Sequence, residues 1–256
     1  MKDIEGKYIY CIFNATQDRT FGPIGIGGRG DEVSTVGVDD LAMAISNHPL
    51  AKLVVNLENI LAHERVVEEV MKDHTVLPVR FCTIASNVDE IRRLLCERRT
   101  EFRNLLKDMD HKVELGVKGL WKDMDLIFRE IALENKEITK IKGKPGRGIR
   151  EERIRANVEL GKLVETALKN KKEKEAEKVL AVLKGSAFDY QLNNTIGDRM
   201  FVNASFLVGK GREKEFDNVM DELSEAYKDR MHFLYAGPLP PYNFVNIAIY
   251  REEWEK

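Results

Sequence analysis

The segment that most constrains the fold is a proline-rich stretch near the C-terminus, Ala236-Gly-Pro-Leu-Pro-Pro-Tyr-Asn-Phe-Val245, which holds three of the seven prolines. Proline fixes its own φ angle and has no N–H to donate, so this stretch predicts a rigid hinge. The flanking segments, 231–235 and 244–250, are rich in strand-forming residues and predict two strands. The hinge offers no nucleophile, base or metal ligand. It therefore indicates packing or docking and not catalysis.

The length of 256 residues predicts two domains, which we place at 1–110 and 111–256. The hydrophobic fraction of 43% and the charged fraction of 33% are typical of a soluble globular protein. The sequence contains neither an apolar run long enough to span a membrane nor, at its start, a secretory signal. We therefore expect a cytoplasmic protein.

Charge and cysteine content exclude several classes of site. A net charge of −2 argues against a nucleic-acid polycation. Cys11, Cys82 and Cys96 are odd in number and form no C-x-x-C pair, which argues against a disulfide framework and a cysteine zinc site. Apart from His63, the histidines are scattered singly and lack the spacing of metal ligands. No nucleophile motif such as G-x-S-x-G occurs. We expect no catalytic residues, no cofactor and no metal.

Residues 1–110 predict an α+β domain whose topology the pattern does not define. Residues 7–13 are apolar on both faces, as in a central strand, and 32–38 and 41–46 predict two more strands around a turn at 39–40. A helix is predicted over 58–73. Residues 75–81 predict a strand with Pro78 inside it. Because proline cannot donate to a strand ladder, we expect this strand to lie at an edge of the sheet or to carry a bulge.

The first domain closes with a predicted helix that opens at Asn87-x-x-Glu90, the pattern of a capping box. A single apolar stripe then continues to Met109. We predict one helix over this stretch.

From residue 112 the pattern predicts strand, helices, strand, helix, strand, hinge and strand, the outline of a ferredoxin-like α+β layer. The fold class is thus α+β, with a long helical insertion at about 136–184. Within the predicted helix over 148–184, the run Lys169–Lys178 has almost no apolar face. It predicts a solvated helical turn or a flexible elbow, with a kink as an even alternative.

Gly25-Ile-Gly-Gly-Arg-Gly30 matches G-x-G-x-x-G, the spacing of dinucleotide-binding loops. It leads into a predicted strand, so no helix N-terminus would face a phosphate. We interpret it as a connection. His63-Glu64 resembles the start of H-E-x-x-H, but Val67 occupies the position of the second histidine, which excludes the zincin geometry.

Residues 136–155 carry eight basic and three acidic side chains, a local excess of positive charge. On a ferredoxin-like sheet such an arm favours RNA binding, yet the exposed-aromatic motifs of RNA-binding sheets are missing. A loop that contacts an acidic protein surface is the preferred interpretation. RNA binding remains the alternative function.

Glu64 and Arg80 each interrupt an apolar pattern, on the predicted helix 58–73 and on the strand after it. A buried carboxylate is costly unless it is paired. We predict a structural ion pair between these two residues, with solvent exposure of both as the alternative.

Three islands together resemble the gas vesicle protein F/L family: Tyr8-Ile-Tyr-Cys-Ile12, His63-Glu64 followed by Thr75-Val-Leu-Pro-Val-Arg-Phe-Cys-Thr83, and Gly237-Pro-Leu-Pro-Pro-Tyr-Asn-Phe-Val245. The sequence departs from the family at Cys82, where the family has glycine, and at Leu239, where it has tryptophan. The F-like or L-like subtype stays open.

The resemblance implies an accessory, non-enzymatic protein of gas vesicle formation that binds the small hydrophobic shell protein during nucleation and assembly. Other gas vesicle accessory proteins are expected partners, and nucleic acid and membranes are not. We expect the docking face at the edge strand and at the hinge. The candidate residues are Pro78, Arg80, Pro238, Leu239, Pro240, Pro241 and Tyr242.

Overall fold

The computed structural model describes residues 5–50, 53–142 and 150–249. It combines helices with antiparallel sheets. The chain divides into two compact units, Met1–Glu114 with Pro238–Lys256, and Leu115–Gly237. The predicted boundary at residue 110 lies close to this division, but the segment from Pro238 onward, which we assigned to the second domain, groups with the first unit.

The first unit contains six strands and three helices in the part of the chain that is described. They are β1 Glu5–Asn14, β2 Thr20–Gly22, β3 Val33–Val38, β4 Leu41–Pro49, α1 Leu57–Met71, β5 Val76–Pro78, β6 Ile84–Ala85, α2 Val88–Glu97 and α3 Arg99–Met109. The strand order is β2-β3-β4-β1-β5, and β6 also pairs with β1. β1 pairs antiparallel with both β4 and β5.

The interior position of β1 confirms the prediction of a central strand. All six side chains from Tyr8 to Phe13 are fully buried, because helices and loops cover both faces of this strand. β5 lies at the end of the sheet order and stops at Pro78, which confirms the predicted edge. The turn between β3 and β4 is also confirmed, with Asp39 at a positive φ of 54°.

The single helix predicted after Asn87 is two helices. α2 starts as predicted, with the Asn87 side chain accepting the Glu90 N–H at 3.0 Å. The chain leaves helical geometry at Arg98, whose φ and ψ are −101° and 20°, and α3 follows. Arg98 donates to both carboxylate oxygens of Glu101, at 2.7 and 2.6 Å. The break lets both short helices bury apolar side chains, namely Ile91, Leu94, Leu95, Phe102, Leu106 and Met109.

The second unit is built on strands and helices in the order strand, helices, strand, strand, helix, strand. They are β7 Lys112–Trp121, α4 Met124–Glu134, α5 Lys136–Lys142, α6 Arg150–Leu183, a 3₁₀ turn Lys184–Ser186, β8 Asp189–Leu192, β9 Met200–Gly209, α7 Glu213–Ala226 and β10 Met231–Leu239. The strand order is β10-β7-β9-β8. The core of this unit gathers large side chains from the sheet and helices, among them Trp121, Phe206 and Phe216.

One strand was missed, and one predicted strand is wrong. β8 was not predicted, because its four residues are mostly exposed and give no alternating pattern. The strand predicted over 244–250 does not form in the described residues up to 249. This stretch makes a single parallel bridge, Val79 to Ile247, because the turn after β10 brings it beside the end of β5.

The charged run Lys169–Lys178 is helical and mostly exposed, as one of the predicted alternatives has it, but no break interrupts the helix. α6 is one continuous helix of 34 residues. Lys171 and Glu175, in the middle of the run, are only 9% and 6% exposed. Apolar periodicity is read from apolar residues only. It therefore does not detect charged residues that are buried with partners, and the pattern indicated a solvated segment.

These buried charges belong to one ionic cluster. The Arg230 guanidinium donates to both oxygens of Glu130, at 2.7 and 2.8 Å, and also pairs with Glu175 at 2.5 Å. The indole N–H of Trp121 donates to Glu175. Lys171 completes the cluster at 2.9 Å from Glu130. Each buried charge thus has at least one opposite charge or a hydrogen bond, which is the condition for burying it.

Candidate functional site

A groove in the first unit brings together three of the seven predicted partner-binding residues. Its volume is about 260 Å³, and its walls are α1, the residues that follow β5 and the segment after the proline hinge. The residues that matter for its chemistry are Ile60, His63, Glu64, Pro78, Arg80 and Tyr242. Binding sites for cofactors usually measure roughly 300–1,000 Å³, so this groove is suited to a few side chains and not to a nucleotide.

The proline hinge forms a tight turn that places Tyr242 at the groove. The carbonyl of Pro241 accepts the N–H groups of Phe244 at 3.1 Å and Val245 at 3.0 Å. Pro240 and Pro241 are buried, whereas Pro238 is exposed and Leu239 is half-buried. None of these four predicted residues lines the groove.

The turn is anchored by a buried carboxylate. Glu114 is 2% exposed and accepts the backbone N–H of Asn243 at 2.8 Å and its side-chain amide at 2.5 Å. Because these bonds satisfy a carboxylate that would otherwise be costly to bury, they hold the residue next to Tyr242 in place. The sequence analysis did not identify Glu114 in this role.

His63 is the groove residue that sequence reasoning missed, because it was considered only as a failed zinc motif. Its ring is 3% exposed and lies on the buried face of α1 with Val67 and Val70. The spacing to these two residues is helical, so periodicity alone could have placed His63 inward. The Phe81 ring packs edge-on against it at a centroid distance of 5.8 Å.

His63 is neutral and lies at the end of a short hydrogen-bond chain. Burial lowers its pKa to about 4, with partial compensation from the backbone of Val79, so the ring is neutral at pH 7. The Tyr8 hydroxyl oxygen accepts the Cys82 N–H at 3.1 Å and lies 2.9 Å from Nδ1 of His63. Because a hydroxyl oxygen can accept two hydrogen bonds, either tautomer of the ring fits this contact.

Two polar atoms of the groove have no hydrogen-bond partner among the described residues. They are Nε2 of His63 and the hydroxyl of Tyr242, and both are buried. Burial is also the main reason that the pKa of Tyr242 is raised, and the negative charge of Glu64 raises it further. Unpartnered buried polar atoms are rare in native proteins, and an ordered water is a common partner for such atoms.

Glu64 and Arg80 both line the groove, but the predicted ion pair does not join them. Within the described ranges neither residue has an opposite charge within 4.0 Å. Arg80 instead donates to Oδ1 of Asn246 at 3.2 Å. Burial and then the nearby Glu68 raise the pKa of Glu64. Arg80 is exposed, so solvation compensates its charge without a carboxylate.

The glycine-rich loop lies apart from the groove and leads into β3, as predicted, so no helix starts there. The Ile26 N–H donates to the Tyr10 hydroxyl at 2.8 Å, which ties the loop to the sheet. Arg29 pairs with Glu5 at 2.8 Å and with Asp31 at 3.1 Å. These contacts fit the interpretation of a connection that packs on the sheet.

The basic arm is described only in part, and no metal site is found among the described residues. Lys136 and Lys140 of the basic arm lie in α5 and Arg155 in α6, while residues 143–149 of the arm lie outside the described ranges. In the described parts of the chain, no group of three or more His, Cys, Asp or Glu side chains is placed to hold a metal ion. No helix within these ranges combines the length and the apolar character that a bilayer span requires.

Cys82, one of the two departures from the family pattern, has a backbone conformation that favours glycine. Its φ is +70°, in the left-handed region. Its N–H donates to Tyr8, so the hydrogen-bond chain to His63 depends on this conformation. The geometry explains why glycine suits the position and shows that cysteine can occupy it under strain.

Comparisons with known proteins agree with the sequence islands. The chain is 27% identical over 252 residues to gas vesicle protein F1 of Halobacterium salinarum, with 97% of each chain covered. It is 28% identical over 244 residues to gas vesicle protein F of a Streptomyces species, covering 93% of this chain and 98% of the relative. Neither name indicates nucleic-acid binding.

The fold resembles solved structures of the same kind. The crystal structure of the gas vesicle protein GvpF from Anabaena matches with a TM-score of 0.80 at 22% identity, covering 96% of this chain and all of the other. A sequence model described as gas vesicle synthesis protein GvpL/GvpF matches residues 6–246. The chain therefore belongs to the GvpL/GvpF family of gas vesicle synthesis proteins.

Proposed function

We propose that this protein is an accessory protein of gas vesicle formation that binds the small hydrophobic shell protein during nucleation and assembly. The proposal includes other gas vesicle accessory proteins as partners, a cytoplasmic, vesicle-associated location and no catalytic role. Its support is membership of the family together with one feature of the surface, an exposed apolar strip on α1 that continues into the groove.

This strip, which we call the α1 strip, consists of Val54 and Val55, which precede α1, and of Leu57 and Leu61 in its first two turns. Val54, Val55 and Leu57 are 67%, 68% and 71% exposed. Leu57 and Leu61 are four residues apart on α1, and Ile60 and Glu64 of the groove share the same helical face at the spacing of three and four. The groove and the strip thus form one surface along the helix.

An exposed apolar surface of this kind suits an apolar partner. Single exposed hydrophobic side chains are ordinary, but a contiguous group marks an interaction site. The wall of a gas vesicle excludes water, so its subunits carry hydrophobic surface that must be shielded before they assemble. An amphipathic helix face beside a groove is a common way to bind such a segment.

We also infer that the second unit is a modified ferredoxin-like domain with α4–α6 as its helical insertion. The support is the strand and helix order β-α-β-β-α-β, with the strand order β10-β7-β9-β8. RNA binding through the basic arm 136–155 is not proposed, because no observation favours it over protein binding.

The test is co-expression of the shell protein with the affinity-tagged protein and quantification of the retained shell protein. We expect retention well above that of an unrelated ferredoxin-like protein. Replacing both leucines of the strip (Leu57→Asp with Leu61→Asp) should lower retention about tenfold. The matched control is Leu133→Asp, which changes a residue 83% exposed in the second unit and should leave retention unchanged.

Thermal unfolding of each variant separates binding from folding. Both leucines of the strip are exposed, and acidic residues are favourable in the first turns of a helix, so the double variant should remain folded. Equal retention by the double variant and the unchanged protein would remove the α1 strip from the proposal. Retention no greater than that of the unrelated protein would overturn the proposed function itself.

A further inference from the structure

We propose that two copies of this protein associate through β8, the edge strand of the second unit, which pairs antiparallel with the same strand of the partner. The inference does not rest on the proposed function, because it uses a different surface. Three observations carry it: an unprotected sheet edge, exposed apolar side chains on that edge, and a groove beside it.

β8 is the less protected of the two edges of its sheet. It ends the strand order β10-β7-β9-β8. The opposite edge, β10, contains Pro238, and proline on an edge discourages pairing with another strand. All four residues of β8 are described, and they include no proline and pair with β9 in a continuous register. This edge therefore lacks the common devices that prevent strand addition.

The backbone of β8 directs polar groups away from its neighbour β9. The Asn193 N–H, directly after the strand, donates to the Asn203 carbonyl at 2.8 Å. Because hydrogen-bonded and non-hydrogen-bonded pairs alternate along an antiparallel ladder, the backbone groups of Tyr190 and Leu192 point outward. The Tyr190 N–H accordingly donates to the side chain of Asp189 at 2.8 Å. Another extended strand is the partner that satisfies such a row of groups.

The same edge presents apolar side chains on one face. Phe188, immediately before β8, and Leu192 at its end are 62% and 61% exposed. Alternation places both on the face of Tyr190, whose ring stacks on Phe206 at a centroid distance of 6.2 Å. A second groove, which we call the β8 groove, has a volume of about 330 Å³ and lies between Leu192 and α6. An exposed aromatic ring and an open groove thus lie on one short strand.

This edge is complementary to itself, which is the argument for a second copy as its occupant. When Tyr190 pairs with the partner's Tyr190, Phe188 lies opposite the partner's Leu192, beside the partner's β8 groove. The two-fold symmetry repeats the contact. On the other face of the sheet, Asp189 lies opposite the partner's Gln191, so its carboxylate exchanges the Tyr190 N–H for a side-chain amide donor.

The charged residues beside the edge permit this approach. The charged side chains that line the β8 groove are two lysines and two glutamates of α6, namely Lys169, Lys172, Glu173 and Glu177. They carry no net charge, so two copies are not repelled at the groove. In the proposed register no like charges of β8 face each other, because its one charged residue, Asp189, is opposite an amide.

The test is the mass of the full-length protein in solution at increasing concentration, measured by sedimentation equilibrium. We expect the weight-average mass to rise from that of a monomer towards that of a dimer between about 1 and about 500 µM, since the interface is small. Leu192→Asp places a carboxylate opposite the partner's Phe188 and should weaken the association about tenfold or more. The control is Leu133→Asp, on α4, where the side chain is 83% exposed and the association should be unchanged.

A charge exchange tests the register. Phe188→Lys alone should also weaken the dimer, whereas Phe188→Lys combined with Leu192→Asp brings opposite charges face to face on both sides of the symmetry axis. The double variant should associate at least about threefold more tightly than Leu192→Asp. Both residues are exposed, so the variants should stay folded, which circular dichroism and thermal unfolding check.

A monomer at every concentration, an unchanged dissociation constant in Leu192→Asp, or no recovery in the double variant would each overturn the inference. If the protein stays monomeric while Leu192→Asp lowers retention of the shell protein, the β8 edge binds the shell protein and not a second copy.

Discussion

Replacement of Arg230 by methionine (Arg230→Met) removes the cation shared by Glu130 and Glu175 and keeps most of the side chain's apolar volume. Glu175 is 8% exposed in its side chain, and Glu130 is 27% exposed. Removing one partner of a buried ion pair typically costs about 3–5 kcal/mol. Lys171 still pairs with Glu130 and Trp121 still donates to Glu175, so we expect a loss of about 2–3 kcal/mol of unfolding free energy.

The dependence of the unfolding free energy on pH, below neutrality, gives a second value for the energy of the same cluster. Arg230, and after it Lys171, lowers the pKa of Glu130 from 4.5 to about 2. A carboxylate with a lowered pKa stabilises the folded state above its unfolded pKa, and this contribution disappears as the pH falls through the folded pKa. The difference in unfolding free energy between the unchanged protein and Arg230→Met should thus have its full size above pH 4.5. It should become smaller as the pH falls from 4.5 to about 2. The whole shift corresponds to about 3–4 kcal/mol, and the part due to Arg230 is smaller because Lys171 contributes to it, consistent with the first value.

The assay is urea unfolding followed by tryptophan fluorescence. The chain has two tryptophans, so a Trp254→Phe background leaves Trp121, which is fully buried beside Glu175, as the only reporter. The control is Arg212→Met, which breaks an ion pair with Glu215 whose side chains are 54% and 60% exposed. Such a pair contributes at most about 1 kcal/mol. A loss in Arg230→Met no larger than in the control, or a difference that does not narrow in acid, would refute the reasoning.

Two further predictions concern backbone geometry. Cys82→Gly should raise the unfolding free energy by about 0.5–1 kcal/mol, because glycine adopts a φ of +70° without strain. Cys82→Ala should give no gain, and chemical denaturation of both variants measures the difference. Gly119→Ala should cost about 1–3 kcal/mol, since its Cβ would lie 2.5 Å from the Phe201 ring, while Gly161→Ala, with open space around it in α6, should add about 0.5–1 kcal/mol. Melting temperatures that move in the same direction for both alanine variants would contradict the second prediction.

Local sequence patterns predicted most of the helices and strands. The apolar run of β1 and the turn after β3 depend only on residues close together in the chain, so a local pattern identifies them. Proline chemistry likewise indicated that β5 is an edge strand. The resemblance of three islands was enough to identify the family that the comparisons confirm.

The candidate groove was predicted only in part. Pro78, Arg80 and Tyr242 were named from proline geometry and the resemblance, and all three line it. His63 was missed as a groove residue, and its contact with Tyr8, 55 residues away, is set only by folding. Pro240 and Pro241 are likewise buried, although the sequence placed them on the docking face.

By itself the sequence determined most of the secondary structure, the edge strand and the family, because each is encoded by neighbouring residues. The tertiary structure alone decided which charges are buried and which polar atoms stay unpartnered. Arg230 and Glu130 are 100 residues apart, and Trp121 and Glu175 are 54 apart, so no local window contains both partners. The energy of a buried charge or donor is set by the partner that folding brings to it, and only the three-dimensional arrangement specifies that partner.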